Sequence, residues 1–219
     1  MSEVPQIYQL KVRLLGISPM IWRRVRVLDS TTLRELHGIL QVAMGWEGLH
    51  LYVFEIYAVQ YGAFELHVAS PDVALRDFGF RERDRFSYIY DMGDYWAHEI
   101  RMETMGPAGT RPSVPRCTGG SRSCPPEECG GPPGYRARRD DANGFEAWED
   151  LGTMVAWLSD LAGRETTGLT VQDVLTDDVE ATLQRVVARG PYVEETFSRR
   201  SVNDRFRAGD HRDFMHQQL

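Results

Sequence analysis

The sequence is poor in lysine and cysteine, and it has no long apolar run. Lys11 is the only lysine among 219 residues, so nearly all of the permanent positive charge is arginine. Three cysteines are an odd number, and no apolar signal core precedes them, which argues against a secreted disulfide framework. No stretch approaches the ~18 apolar residues of a membrane span. We therefore expect a cytoplasmic protein with no membrane partner.

The overall composition is typical of a chain with a sizeable core. Hydrophobic residues make up 42% of the sequence and aromatic residues 11%. The length suits one large domain or one and a half. The formal net charge of −7 argues against nucleic-acid affinity of the whole protein, although a local basic face is compatible with it.

The first part of the chain has the pattern of an α+β fold. Period-2 alternation predicts strands at 8–15, 21–27, 49–56, 86–91 and 95–102. Thr32 and Glu35 have the spacing of a capping box, and an apolar stripe predicts a helix over 32–44 that ends at Gly45. We expect one mixed or largely antiparallel sheet with a β-grasp-like β-β-α-β start and this helix across one face.

The composition changes after residue 135. Apolar residues at helical spacing predict helices at 147–162 and 176–188, preceded by a charged linker. Residues 198–219 are polar and lack a clear stripe, which predicts a flexible tail. The predicted division is an α+β domain at 1–135, a helical extension at 136–197, and the tail.

The candidate metal ligands are concentrated between residues 98 and 129. Cys117, Cys124 and Cys129 lie in a Gly- and Pro-rich loop that has little apolar side chain to order it. His98 lies on the preceding strand, on the same face as Trp96. Three thiolates and one imidazole can form a closed tetrahedral Zn²⁺ site, so we predict a structural zinc ion on these four residues. A Cys117–Cys124 disulfide, free thiols, and a core position for His98 are the alternatives.

Two aspartates suggest a different chemistry. Asp91 and Asp94 flank Met92-Gly93, and together with His98 they can hold Mg²⁺ or Mn²⁺ and activate water for phosphodiester hydrolysis. Aspartates at such positions more often form the turn itself.

Several uncommon motifs occur in a fixed order. They are IWRR from Ile21, TLRELH from Thr32, AMGW from Ala43, HLYVF from His50, YDMGDYWAH from Tyr90, PRCTG from Pro115, CPPEECGG from Cys124 and GY from Gly134. Their order resembles the plasmid Orf-three-like domain family. That family was first named from a root-inducing plasmid and is also labelled as the passenger protein TnpR of an actinobacterial insertion element. The resemblance covers roughly residues 6–135 and implies an α+β domain with a mixed sheet, without implying an activity.

Three functions are compatible with parts of this sequence pattern. A transposon resolvase, which the label TnpR suggests, needs a nucleophilic serine among arginines and a helix-turn-helix, and the sequence has no recognisable helix-turn-helix. A metal-dependent nuclease needs the carboxylates named above. We favour a non-catalytic module that is stabilised by zinc and binds a protein or nucleic acid, because a closed Cys3His site leaves no open coordination position for a substrate. The candidate contact face is Trp22, Arg24, Trp46, His50, Asp91, Asp94 and Trp96.

Overall fold

The computed structural model describes residues 4–110, 112–163, 170, 174–189 and 196–215. The chain divides into two compact units. The sheet unit comprises residues 1–132 and 194–219, and the helical unit comprises residues 133–193.

The sheet unit is built on one antiparallel sheet, which has seven strands in the part of the chain described above. The strands are β1 Gln6–Leu14, β2 Trp22–Leu28, β3 Tyr52–Ile56, β4 Val59–Gly62, β5 Arg85–Tyr90, β6 Trp96–Pro107 and β7 Arg116–Ser121. Their order across the sheet is β4-β3-β5-β6-β1-β2-β7, and all neighbours are antiparallel. The α+β class and the single sheet are confirmed. β4 and β7 were not predicted, and β7 lies inside the supposed Cys-rich loop.

Alternation along the strands gives the sheet one buried face and one open face. On β1, Leu10 and Val12 are fully buried, whereas Lys11 and Arg13, which alternate with them along the strand, are partly exposed. The same alternation on β2 buries Val25 on the inner face. The polar residues of the central strands therefore share the open face.

Helix α1, Leu33–Met44, covers the buried face. The predicted capping box is present, because the Thr32 hydroxyl accepts from the Glu35 N–H and the Glu35 carboxylate accepts from the Thr32 N–H. The helix ends at Gly45, whose φ of 95° is the left-handed conformation that favours glycine. The predicted helix is therefore correct in position and in both ends.

Among the described residues, three further helices follow the strands: α2 Gly131–Asn143, α3 Phe145–Ala162 and α4 Asp177–Arg189. The helices predicted at 147–162 and 176–188 correspond to α3 and α4, and the predicted linker is part of α2. In the helical unit, Arg185 donates to the buried carboxylate of Asp150 at 2.7 Å. No helix among the described residues is long and apolar enough to cross a membrane.

The C-terminal segment differs from the predicted flexible tail. It forms α5, Arg199–Ala208, and α6, Asp210–Asp213, which belong to the sheet unit. Val202 and Phe206 lie one helical turn apart on α5 and are both buried, so two apolar residues suffice to dock a helix that is otherwise polar. Residues 216–219 of the predicted tail lie outside the described residues.

Candidate functional site

Cys117 and Cys124 lie in different surroundings, and Cys129 is also buried. Cys117 is buried on β7, and its thiol donates to the Gly119 carbonyl at 3.4 Å. The Cys124 sulfur accepts from the Arg23 guanidinium at 3.3 Å and lies 3.2 Å from the Met44 sulfur. Burial raises the pKa of the Cys124 thiol to about 11 and also raises that of Cys117.

The arrangement does not fit a Cys3His zinc site as it stands. Among the residues that the structure describes, no three His, Cys, Asp or Glu side chains are grouped to hold a metal ion. The guanidinium of Arg23 beside Cys124 repels a cation. His98 is fully buried between the rings of Trp46 and Tyr88. The zinc site stays a prediction.

Hydrogen bonds hold the Cys-rich segment, which the sequence predicts to need an external brace. At the start of the segment, the Trp46 indole N–H donates to the Pro125 carbonyl at 2.8 Å.

Further along the segment, the Glu127 carboxylate accepts from the Glu47 N–H at 2.9 Å and from the Tyr90 hydroxyl. Asp94 accepts from the Gly130 N–H at 3.0 Å. These bonds tie both ends of residues 125–130 to the body of the sheet unit.

Arg23 provides a second brace from inside the unit. Its side chain is buried and donates to the carbonyls of Ala43 at 2.8 Å and Ser121 at 3.1 Å, besides the Cys124 sulfur. Its guanidinium also lies 4.3 Å from the centre of the Phe197 ring. Arg23 therefore links α1, β7 and the segment that leads into α5, a role that the strand pattern does not indicate.

The residues of the nuclease alternative do not meet. Asp91 accepts from the N–H groups of Gly93 at 2.8 Å and Asp94 at 3.3 Å, which is a turn-forming arrangement. The Asp94 carboxylate faces Gly130, while His98 points into the core. The structure therefore gives each of these three residues a separate structural role.

The predicted contact face is also divided. Trp22 and Arg24 lie on the open face of β2. Trp46 and Trp96 are in the core, at 2% and 0% exposure. His50 is half-buried, with its Nε2 atom 3.6 Å from a carboxylate oxygen of Asp91. Of the residues of this predicted face, Trp22 and Arg24 are placed to contact a partner on the open face of the sheet.

A buried polar network lies between α1 and the inner face of the sheet. The Tyr88 hydroxyl lies 2.8 Å from His37 Nδ1 and accepts from the Gln41 amide at 2.8 Å. The Tyr52 ring stacks on His37 at 3.8 Å between centroids. Burial lowers the pKa of His37 to about 3 and that of His98 to about 4, so both imidazoles are neutral.

The open face carries a row of cations that only the strand register reveals. Lys11 lies opposite Arg24 on one neighbouring strand and opposite Arg101 on the other, and Arg101 lies opposite Arg85. We call Arg24, Lys11, Arg101 and Arg85 the cation row. Like charges directly opposite one another destabilise a sheet by roughly 0.2–1 kcal/mol for each pair. We therefore expect nearby carboxylates to offset the positive charge of the row.

Carboxylates compensate the two ends of the row. Glu103 pairs with Arg24 at 2.9 Å, and that hydrogen bond lowers the pKa of the Glu103 carboxyl. Glu99 pairs with Arg85 at 2.9 Å. The two middle cations, Lys11 and Arg101, form no ion pair with any carboxylate among the described residues.

A second basic feature lies at the β7 edge of the sheet. It is a groove of about 670 Å³ between β7 and α5. We call it the arginine groove, and its cationic lining consists of Arg26, Arg116, Arg199, Arg200 and Arg207. Asp204 pairs with Arg200 and Arg207, while Arg116 and Arg199 have no ion pair within the described part of the chain.

Asn203 fixes the width of the groove. Its side-chain amide accepts from the Cys117 N–H and donates to the Cys117 carbonyl, both at 2.9 Å, and so pairs with the free edge of β7 as a strand would. A Cβ at Gly120 would lie 2.6 Å from the Phe197 ring, so a glycine is needed for the chain to enter α5 here. The sequence pattern shows the arginines of this segment, but not that they face β7.

The comparisons with known proteins agree with this fold. Residues 6–163 match a family described as "Plasmid pRiA4b ORF-3-like protein". The uncharacterized protein y4hQ of Sinorhizobium fredii (strain NBRC 101917 / NGR234) is 38% identical over 144 residues, which are 61% of this chain and 71% of that protein. The crystal structure of MM3350, a protein of unknown function from Methanosarcina mazei Go1, is similar with a TM-score of 0.61 at 33% identity, covering 72% of this chain and 92% of that one.

The family match extends past residue 135, where the sequence motifs end, and includes most of α2 and α3. It covers well over half of the 219 residues. The chain belongs to the plasmid pRiA4b ORF-3-like protein family.

Proposed function

We propose that the protein is a non-catalytic binding module that holds the phosphate backbone of single-stranded nucleic acid in the arginine groove. The observation that supports this most directly is the lining of the groove, which contains five arginines and no acidic residue among the residues that the structure describes. Arginine presents a planar fork of donors that matches two oxygens of a phosphate or a carboxylate, so clustered arginines suit an oxyanion such as the phosphate backbone.

The size and position of the groove favour a single strand. A concave volume of about 670 Å³ lies in the range of sites that enclose a ligand of small-molecule size. Such a groove accommodates a few nucleotides of backbone, whereas a duplex needs an element that enters one of its grooves. The net charge of −7 makes the rest of the surface repel a polyanion, so binding is confined to the basic region.

Binding without catalysis agrees with the chemistry of the lining. Within the described part of the chain, the groove is lined by cations without a carboxylate or an imidazole. Such a lining is unsuited to a divalent metal ion, which hydrolysis of the phosphodiester backbone by the two-metal route requires. The carboxylates of Asp91 and Asp94 are occupied by backbone N–H groups.

Fluorescence anisotropy with labelled oligothymidylate, oligouridylate and a duplex of equal length tests the proposal. We expect both single strands to bind more tightly than the duplex. If about four phosphates are neutralised, the logarithm of the association constant falls against the logarithm of salt concentration with a slope of about −3. Absence of binding to any of the three at low salt would reject the proposal.

Two groove variants and one control make the test specific. Arg116→Gln and Arg199→Gln each remove one groove cation that forms no ion pair with a described residue. We expect each to weaken binding about three- to tenfold and to make the salt slope shallower by about 0.7. Arg81→Gln makes the same charge change at an exposed site outside the groove. An equal loss in Arg81→Gln would mean that net charge, and not the groove, governs binding.

A further inference from the structure

The cation row and the arginine groove are parts of one surface. Arg26 lines the groove and lies opposite Arg116, and it is two residues from Arg24 on the same strand. Residues two apart on a strand point to the same face, so Arg24 and Arg26 join the groove to the row. A basic path therefore leads from β7 at the edge of the sheet to β6 near its centre.

Resting on the function proposed above, we propose that the nucleic-acid strand leaves the arginine groove and crosses the open face of the sheet, and that Lys11 and Arg101 hold a phosphate there. The path runs across the strands and not along them, because the cation row itself is perpendicular to the strands.

The middle of the row has the features of an anion subsite. A pocket of about 150 Å³ lies there, lined by Lys11, Arg13, Met20, Arg85, Glu99 and Arg101. The Nε atom of Arg101 is buried and forms no hydrogen bond with any residue that the structure describes. A buried donor without a partner costs about 1–3 kcal/mol, so a rearrangement that brings a phosphate oxygen to this guanidinium would be favoured.

Among the described residues, the one carboxylate that lines this pocket is already neutralised. Glu99 pairs with Arg13 at 3.1 Å and with Arg85 at 2.9 Å, one on each side. Its charge therefore holds those two arginines in place and leaves Lys11 and Arg101 to face the ligand. Lys11 is further positioned by Trp22, whose ring centre lies 5.0 Å from the ammonium nitrogen.

The distance between the two subsites sets a length requirement. Three strand spacings separate β7 from β6, which is about 14–15 Å at ~4.8 Å per spacing. A stacked strand advances about 3.4 Å per nucleotide, so roughly five nucleotides are needed to reach from one subsite to the other. Shorter oligonucleotides can fill the groove without reaching the row.

A length series combined with variants tests the path. Binding of labelled dT3 and dT16 is measured for the wild type, for Lys11→Gln/Arg101→Gln, and for Arg116→Gln/Arg199→Gln. We expect the row variant to bind dT16 about tenfold more weakly and dT3 within about twofold of the wild type. The groove variant should lose affinity for both oligonucleotides. Lys11→Arg/Arg101→Lys retains both charges and should retain dT16 binding, which separates loss of charge from misfolding.

The single lysine offers a measurement on the unmodified chain. An amine-acylating reagent labels Lys11 and the N-terminal amine, and peptide mass spectrometry distinguishes the two. We expect dT16 to slow acylation of Lys11 severalfold while dT3 leaves its rate unchanged. If dT16 binds through the groove but neither protects Lys11 nor responds to the row variant, the path is wrong and the proposed function stands. If the wild type binds no oligonucleotide, both proposals fail.

Discussion

At the residue scale, the buried histidines of the polar network make stability depend on pH. His37 and His98 have pKa values lowered by burial to about 3 and about 4, against about 6.5 in an unfolded chain. The unfolded chain therefore binds more protons than the folded protein below pH 6.5, and the free energy of unfolding falls as the pH falls. Each histidine contributes up to about 1.4 kcal/mol per pH unit between pH 6.5 and 5.

We predict that His98→Leu, which removes one of these groups, reduces the pH dependence of stability in that window by up to about 1.4 kcal/mol per pH unit. Urea denaturation at pH 7.0, 6.0 and 5.0 measures the effect. His67→Asn is the control, because His67 is exposed and its positive φ of 57° tolerates asparagine. The lowered carboxyl pKa values of Asp72 and Glu103 act at lower pH and do not enter this window. An unchanged slope in His98→Leu would contradict the prediction.

The sequence predicted the direction of side chains better than their partners. Strand period placed His98 on the same face as Trp96, and both are buried. Nothing in the sequence could show that the neighbours of Cys124 are the Arg23 guanidinium and the Met44 sulfur, because these contacts join residues 101 and 80 positions apart. Hence the cysteine spacing predicted a cluster that the described structure does not assemble.

At the scale of elements, the docking of α6 on α1 depends on one glycine. A Cβ added at Gly38 would lie 2.0 Å from the His211 carbonyl oxygen, which is backbone and cannot turn aside. We predict that Gly38→Ala displaces α6, lowers the free energy of unfolding by about 2–4 kcal/mol and speeds amide exchange in residues 199–213. Hydrogen exchange with mass spectrometry locates the change.

Gly152→Ala is the matched control for that substitution. Gly152 lies within α3, and no described atom beyond its own helix backbone and its chain neighbours lies within 4 Å of its added Cβ. Since alanine favours a helix over glycine by up to about 1 kcal/mol, this variant should be as stable as the wild type or slightly more so. Unchanged exchange in residues 199–213 of Gly38→Ala would show that α6 does not need this close approach.

The elements that the sequence predicted have strong local signals, and those it missed have weak ones. The Thr32 and Glu35 pair and Gly45 marked both ends of α1 without reference to the rest of the chain. β7 contains Gly119 and Gly120 and has almost no alternation, so its pairing with β2 depends on the neighbouring strand. The local signal of α5 is weak as well, because its buried apolar side chains are two, Val202 and Phe206.

At the scale of the whole molecule, net charge conceals the distribution of charge. The value of −7 argued against nucleic-acid affinity, yet the arginine groove and the cation row concentrate positive charge on one side of the sheet. Arg24 and Arg26 are visible in the sequence as a period-2 pair. The opposition of Lys11 to Arg24 and Arg101 follows from register across three strands, which local patterns do not determine.

The last prediction concerns what orders the segment around Cys124 and Cys129. The hydrogen bonds of Trp46, Glu127 and Asp94 to residues in or next to this segment tie it to the body of the sheet unit. We therefore expect chelator-treated, reduced protein to keep slow amide exchange in residues 122–130. Glu127→Ala, which removes the partner of Tyr90 and of the Glu47 N–H, should speed exchange there at least tenfold. Glu128→Ala is the control, since Glu128 is the neighbouring carboxylate and is not part of these bonds.

The zinc hypothesis makes the opposite prediction for the same measurement. A Cys3His site requires one zinc ion per purified chain, release of that ion in Cys117→Ser, and loss of protection over residues 110–135 when the metal is removed. Metal analysis and hydrogen exchange on one preparation, before and after chelation, distinguish the two accounts. Slow exchange that survives removal of all metal would assign the order of the segment to its hydrogen bonds. Exchange that rises only with loss of a stoichiometric zinc ion would assign it to a metal site that forms by bringing the cysteines together.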